Sequence, residues 1–358
     1  MQIPQLTFTR FLAGVSIVIL HYGLYTWPIS SDLVFPILGK SISAVSYFFI
    51  LSGFILVVSS AKNGELIPEV KTSAFWKKRA ARILPVYIFS VLLFLAINFR
   101  YDPSIPLKWQ TQSYVYSLFL LQSWKYKMAL DINYPSWTLS VEALFYFIFP
   151  WVYSNLVSLT NKRLIIVSVA AWIINSYVHV SLMEENVPHN FYMYFPLLHV
   201  ATFITGICSG ILFIRNYAWL SGNGKTYLFS ISGLALLFMI FTAYKNWDFY
   251  NYQHNGLLSP FFILMFYSLA VMKGPIVTLF SSKPFVFLGD ISYSIYLFQY
   301  PVLQICQKYI PGLKGKESKD IFFIYLLILI VFSALIYVFL EKPVRKFFTS
   351  RIKYNSQA

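Results

Sequence analysis

Long apolar segments constrain the fold of this chain more than any other feature. Stretches of about 18 or more predominantly apolar residues recur along the sequence, and each can cross ~30 Å of hydrocarbon as a helix. Of the 358 residues, 58% are apolar and only 11% are charged. The mean hydropathy is +0.63, higher than a soluble domain of this size needs. The sequence therefore predicts an all-α, polytopic membrane protein.

About ten transmembrane helices account for the apolar segments. The stretch from Tyr114 to Trp124 is also apolar but only about eleven residues long, too short to cross alone, so we predict a short re-entrant or interfacial helix there. We expect one integral-membrane domain over 1–358, with its motifs in 6–346 and a basic tail in 341–358. The predicted spans are residues 6–26, 42–60, 83–99, 138–154, 164–182, 198–214, 227–244, 257–272, 285–305 and 321–340.

The distribution of basic residues predicts the orientation. With ten crossings and a cytoplasmic N-terminus, 18 of the 28 Lys and Arg residues lie inside and 10 outside, as the positive-inside rule requires. The basic loop 307–320 is the misfit. We predict that both termini are cytoplasmic. The net charge of +15 follows from this topology, so we expect no nucleic-acid partner.

Metal chemistry has no support in the sequence. Cys208 and Cys306 lie in apolar segments, without CxxC spacing or a histidine nearby. The pattern is typical of buried free thiols, so we expect no metal site and no tightly bound cofactor.

Two ionisable residues interrupt the first apolar segment. Arg10 and His21 are eleven residues apart, which on a helix is about 16 Å along the axis and nearly the same face. Ionisable groups inside a membrane are costly and are functional candidates. We predict His21 as a general base and Arg10 as its catalytic companion, the alternative for Arg10 being a helix-end cation that reaches the interface.

A basic segment, FWKKRAARILPVY, precedes the third predicted span. Arg79 and Arg82 are three residues apart and share a helix face, with Lys78 beside them. Guanidinium groups suit phosphate recognition, so we predict that these three residues bind the substrate. The alternative is an ordinary positive-inside anchor.

A single carboxylate lies in the apolar segment PSWTLSVEALFYFIFP. Glu142 in such surroundings must be paired, protonated or facing water, and we predict a catalytic role for it, in which it orients or charge-stabilises the imidazole of His21. Trp137, Ser140 and Tyr146 share this helix and are predicted to contact substrate. A structural ion pair with an arginine is the alternative for Glu142.

Three further features have mainly structural interpretations. The pair Ser52-Gly53 is typical of closely packed helices. Asp290 is interpreted as a cap at the start of the ninth span. His199, which begins the sixth span, is a secondary functional candidate.

Taken together, these motifs resemble one family. Arg-x10-His is followed by SYFFILSGFIL, Arg-x2-Arg-Ile-Leu-Pro, WTLSVEALFY, LGDISYSIYLFQYPV and a terminal Glu-x-Pro. This series, which covers residues 6 to about 346, resembles the acyltransferase-3 family of bacterial membrane enzymes. The resemblance implies a place in the bacterial inner membrane. The resemblance implies that His21 is the essential histidine and Arg10 its partner. It also implies that Arg79 and Arg82 contact the acyl donor.

The resemblance also implies the reaction. Members transfer an acyl group, commonly acetyl from acetyl-CoA, to hydroxyls of surface or lipid-linked carbohydrates and related molecules. The predicted partners are therefore acyl-CoA, a carbohydrate acceptor and the bilayer, with polysaccharide assembly proteins as a candidate class, which suggests a role in exopolysaccharide biosynthesis. In the family Glu142 matches a motif glutamate, whereas Gln299 occupies a position that is often histidine.

Two other classes of function remain open from sequence. A sugar or lipid transporter, or flippase, would use the same buried charges as a pathway without acyl chemistry. A non-catalytic scaffold in a polysaccharide assembly complex would not need His21 at all.

Overall fold

Helices form most of the described part of the protein. The computed structural model describes residues 3–98, 106–244, 255–310 and 321–354, and in these ranges it contains no strand, only an isolated bridge between Lys62 and Glu65. The described ranges hold twelve helices of twelve or more residues: α1 (Pro4–Tyr22), α2 (Ser43–Ser60), α3 (Thr72–Ile97), α4 (Leu107–Leu118), α5 (Trp137–Val157), α6 (Asn161–Glu184), α7 (Val200–Arg215), α8 (Lys225–Tyr244), α9 (Ser259–Val271), α10 (Lys283–Tyr309), α11 (Ile321–Ile336) and α12 (Lys342–Tyr354).

The helical fold class is confirmed, and the protein is a membrane protein. Within the described part of the chain, six helical segments are long and apolar enough to span a bilayer: Ser43–Ser60, Thr72–Ile97, Asn161–Glu184, Pro196–Arg215, Lys225–Thr242 and Ile321–Phe348. The four other predicted spans also coincide with helices. Helix α9 is short, whereas α1, α5 and α10 contain polar residues that lower their mean hydropathy.

The predicted ends of two spans need correction. Helix α1 ends at Tyr22 rather than near residue 26, so His21 lies in its last turn and not deep within it. Helix α10 begins at Lys283 with Ser282 in the N-cap position. Asp290 is therefore two turns inside this helix, and its interpretation as a cap was wrong.

Glycines allow close contact between two pairs of helices. A Cβ atom at Gly53 or Gly206 would collide with the backbone of the opposing helix, which shows that α2 and α7 pack almost backbone to backbone. Gly289 of α10 similarly lies against the backbone of Thr7 in α1. The packing interpretation is thus confirmed for Gly53, whereas Ser52 lines a cavity. The second crossing brings Arg10 and Asp290, each near its glycine contact, to the same region of the protein.

The segment before α5 is folded into the protein interior. The apolar stretch from Tyr114 to Trp124 forms the end of α4 and a 3-10 turn, Gln122–Trp124. Buried Gln122 donates from Nε2 to the Ser136 carbonyl at 3.0 Å. Residues 137–140, the first of α5, are all buried, so this helix begins inside the protein rather than at its surface. Buried ends of this kind are tolerated in a membrane only when protein surrounds them.

The predicted loop 307–320 falls mostly outside the described residues, as do residues 355–358 of the predicted tail. The sidedness of the chain stays a prediction.

Candidate active site

A charged cavity lies among α1, α2, α3, α5, α10 and α12. Its volume is about 270 Å³. Several hydroxyl groups and apolar side chains complete its wall. The ionisable side chains that line it, tyrosines aside, are Arg10, Arg79, Arg82, Arg345, Glu142 and Asp290, and the hydroxyl-bearing ones are Thr7, Ser52, Thr138, Tyr146, Ser292, Tyr293 and Tyr296.

Three arginines of the cavity are poorly neutralised. Among the residues that the structure describes, no carboxylate oxygen lies within 4.0 Å of a guanidinium nitrogen of Arg10, Arg79 or Arg82. Arg79 donates to the Ser59 hydroxyl, at 3.4 Å, and its guanidinium lies 5.8 Å from the centre of the Tyr146 ring. Half-buried cations without a contact ion pair carry a desolvation cost, and an anionic ligand in the cavity would offset it.

Glu142 faces these arginines from α5. Its Oε2 accepts a hydrogen bond from the Tyr146 hydroxyl at 3.4 Å, and the carboxylate lies within electrostatic range of Arg10 and Arg82. The Tyr146 carbonyl in turn accepts from the Trp76 indole at 3.0 Å, which ties α5 to α3. The ion pair given as the alternative for Glu142 is not present as a contact among the described residues; the carboxylate and the arginines are close enough to interact electrostatically.

Two charged residues of the cavity were not among the predicted site residues. Asp290 accepts a hydrogen bond from the Tyr337 hydroxyl at 3.0 Å. Arg345 forms an ion pair with buried Glu341, with 3.9 Å between Nη1 and Oε1. Both residues are brought to the cavity by contacts between helices that are distant in sequence. The spacing of residues therefore did not indicate Arg345, whereas Asp290 could be noticed as a charge in an apolar segment.

Other predicted residues lie away from the cavity wall. Lys78 is exposed beside the cavity. Trp137 is buried against Phe49, with 6.1 Å between ring centres, and the Ser140 hydroxyl donates to the Leu120 carbonyl at 2.6 Å. His199 is fully buried, and its Nε2 lies 3.1 Å from the Met193 carbonyl. The observed contacts of these residues are those of a packed interior or a solvated face.

His21 lies at the other end of α1 and does not line this cavity. The ring is exposed on one side, yet it is held against the protein. Its Nδ1 lies 2.8 Å from Oε1 of Gln299, and its ring centre is 5.1 Å from that of Tyr134. The observed partner of His21 is thus Gln299, where sequence reasoning expected Glu142 to orient the ring.

Tyr296 and Thr138 connect the two regions. Both line the cavity. The Tyr296 carbonyl accepts a hydrogen bond of 2.8 Å from the amide of Gln299, the partner of His21. Thr138 follows Tyr134, which packs on His21, by four residues. Tyr296, through Gln299, and Thr138, one turn after Tyr134, thus link the cavity wall to residues that contact His21.

Comparison with known proteins identifies the family. The model of acyltransferase family 3, described as an acyltransferase domain, matches residues 3–340. This chain belongs to that family. The match confirms the predicted family. It also confirms the predicted enzyme class, an acyltransferase that transfers groups other than amino-acyl groups.

Curated relatives come from Staphylococcus aureus. The chain is 23% identical to O-acetyltransferase OatA over 360 residues and 26% identical to the putative O-acetyltransferase SACOL0978 over 368 residues. Each alignment covers 96% of this chain but 57% of the relative, so the chain spans a little over half of their length. No solved structure matches the chain.

Proposed function

We propose that this domain transfers an acyl group, in the first instance acetyl, from acyl-CoA at the cytoplasmic face to a hydroxyl of a cell-surface or lipid-linked carbohydrate. The observation that carries the proposal is the cavity in which Arg10, Arg79 and Arg82 have no contact ion pair within the described chain. Such a site suits a phosphate-bearing donor. The relatives named O-acetyltransferases support acetyl as the group transferred.

The donor enters the cavity in part. A volume of about 270 Å³ is just below the range of about 300–1,000 Å³ common for sites that hold a whole small ligand. The cavity therefore takes the pantetheine arm and the diphosphate that joins it to the nucleoside, next to the arginines, while the adenosine with its 3′-phosphate remains outside. Exposed Lys78, next to Arg79 in sequence, is placed to contact that 3′-phosphate.

His21 acts as the general base in this proposal. Its imidazole takes the proton of the acceptor hydroxyl while the oxygen attacks the thioester carbonyl. The new C–O bond forms, the C–S bond breaks, and the proton passes from the imidazolium to the leaving thiolate to give the free thiol. The acyl group reaches the histidine past Thr138 and Tyr296, the residues that link the two regions.

The developing oxyanion needs a hydrogen-bond donor or a cation. Arg10 and Tyr146 line the cavity rather than the surroundings of His21, so the candidates near the histidine are the hydroxyls of Tyr22 and Tyr134, whose rings pack against it. Ser140 is a poorer one, since its hydroxyl proton is already donated to the Leu120 carbonyl. Glu142 serves to position the arginines electrostatically, and the proposal gives it no proton to transfer.

The test is O-acetyl analysis of surface glycan from cells that express His21→Ala. The proposal predicts loss of the O-acetyl groups at unchanged protein level in the membrane. His189→Ala is the matched control, because His189 is an exposed histidine bonded to Tyr192 and distant in sequence from the site. Near-normal O-acetylation in the His21 variant would contradict the proposal and favour the transporter or scaffold interpretations.

A further inference from the structure

The amide of Gln299 has a fixed orientation. Its side chain is fully buried. Its Nε2 donates to the Tyr296 carbonyl at 2.8 Å, and a carbonyl oxygen can only accept. The amide oxygen must therefore be the atom that faces His21, at 2.8 Å from Nδ1. Because that oxygen also can only accept, the hydrogen of this bond resides on Nδ1 of the imidazole.

The backbone around Gln299 is held as well. The Tyr325 hydroxyl of α11 donates to the Gln299 carbonyl at 2.8 Å, and Tyr325 is itself buried. Helix α10 continues without a break through this position. The acceptor oxygen is thus preorganised. Its hydrogen bond fixes the orientation of the His21 ring, and little conformational entropy of Gln299 is lost when the bond forms.

We infer that Gln299 is a positioning residue that holds His21 in the Nδ1–H tautomer and so presents the Nε2 lone pair to the acceptor hydroxyl. The inference rests on the proposed function, since it names how the base of that reaction is prepared. Carboxylates often fix a histidine in this way. Here a neutral amide performs the task, which avoids the cost of placing an unpaired carboxylate at a fully buried position.

The geometry agrees with this role. The ring of His21 is exposed on one side, while Tyr22 and Tyr134 face it at 5.6 and 5.1 Å between ring centres. Those two tyrosines bond to each other through their hydroxyls at 2.5 Å. Nδ1 is directed to the protein interior, so Nε2, on the opposite edge of the ring, is the nitrogen available to a substrate.

The tautomer can be measured without any activity assay. The protein has five histidines, so ¹⁵N-histidine spectra of the purified full chain are simple, and the His21 signals are those lost in His21→Ala. Wild type should show His21 with the proton on Nδ1, and Gln299→Leu should shift it toward the Nε2–H form that free imidazole prefers in water. A wild-type signal from the Nε2–H form, or no change in Gln299→Leu, overturns the inference.

Kinetics test whether the tautomer matters. Donor turnover is followed with radiolabelled acetyl-CoA in membranes that contain the native acceptor. Gln299→Leu should lower kcat by about 10- to 100-fold, the usual cost of removing an orienting partner, with little change in KM for acetyl-CoA. Gln299→Glu, which keeps an acceptor oxygen near Nδ1, should recover part of kcat.

The two hypotheses fail in different ways. If His21→Ala transfers acetyl normally, the proposed function fails, whatever the spectra show. If His21→Ala is inactive but Gln299→Leu shifts the tautomer and retains full kcat, the positioning role fails and the base stands. If Gln299→Glu and Gln299→Leu are equally impaired and both keep the Nδ1–H form, Gln299 is merely structural and the inference is wrong.

Discussion

Replacement of Arg82 by glutamine tests donor binding in the charged cavity. Arg82 is half-buried, lines the cavity and has no contact ion pair with the described carboxylates. A hydrogen bond between charged groups contributes about 1.5–3 kcal/mol, and each ~1.4 kcal/mol is a factor of ten in affinity. The KM for acetyl-CoA should therefore rise about 10- to 150-fold in Arg82→Gln.

The control is Lys78→Gln, in the same basic segment. Lys78 is exposed and outside the cavity wall, so its contribution of about 0–1 kcal/mol changes KM by at most about fivefold. The assay measures radiolabel transfer from acetyl-CoA in membranes, at several salt concentrations, with protein amounts matched by immunoblot. An unchanged KM in Arg82→Gln, or a larger effect of Lys78→Gln, would refute donor recognition by this cavity.

Two other substitutions separate chemistry from packing. Glu142→Gln keeps an acceptor for Tyr146 but removes the charge that faces the arginines. Acetyl transfer should therefore fall about tenfold or more at unchanged protein level. A loss of folded protein instead would support a structural role for this charge. Gly206→Leu should lower the midpoint of thermal unfolding in detergent, because overpacking costs about 1–3 kcal/mol. The control Gly233→Leu should leave the midpoint nearly unchanged, because a Cβ atom at Gly233 meets open space. Equal midpoints of the two variants would contradict the close crossing of α2 and α7.

Much of the helical architecture could be predicted from sequence because hydrocarbon imposes one solution on an apolar segment. All ten predicted spans coincide with helices in the described ranges. Ends were harder to place. The apolar stretch continues to Tyr25, yet helix α1 ends at Tyr22 and is followed by turns, so hydropathy alone did not predict the end of the helix.

The site was predictable only in part. Arg10, Arg79, Arg82, Glu142 and Tyr146 were found because charge or hydroxyl beside an apolar run is unusual, and all of them line the cavity. Residues that reach the site from distant parts of the sequence, such as Arg345 and Gln299, could not be recognised from a local pattern of this kind.

The pairing of His21 with Gln299 joins residues that are 278 positions apart. An amide in an apolar helix gives no sign of a functional role, so the sequence favoured the carboxylate of Glu142 as the partner of the histidine. The packing of α10 along α1, from Gly289 at Thr7 to Gln299 at His21, brings the two side chains together.

Transfer between the two faces of the membrane can be measured directly with sealed vesicles of both orientations, prepared from the same cells and supplied with radiolabelled acetyl-CoA that does not cross lipid. Inside-out vesicles, whose cytoplasmic face is outward, should accumulate labelled O-acetyl groups on carbohydrate in their lumen, and His21→Ala vesicles should not. Equal labelling of right-side-out vesicles, or label confined to the outer face of inside-out ones, would contradict transfer from a cytoplasmic donor to an acceptor on the opposite side.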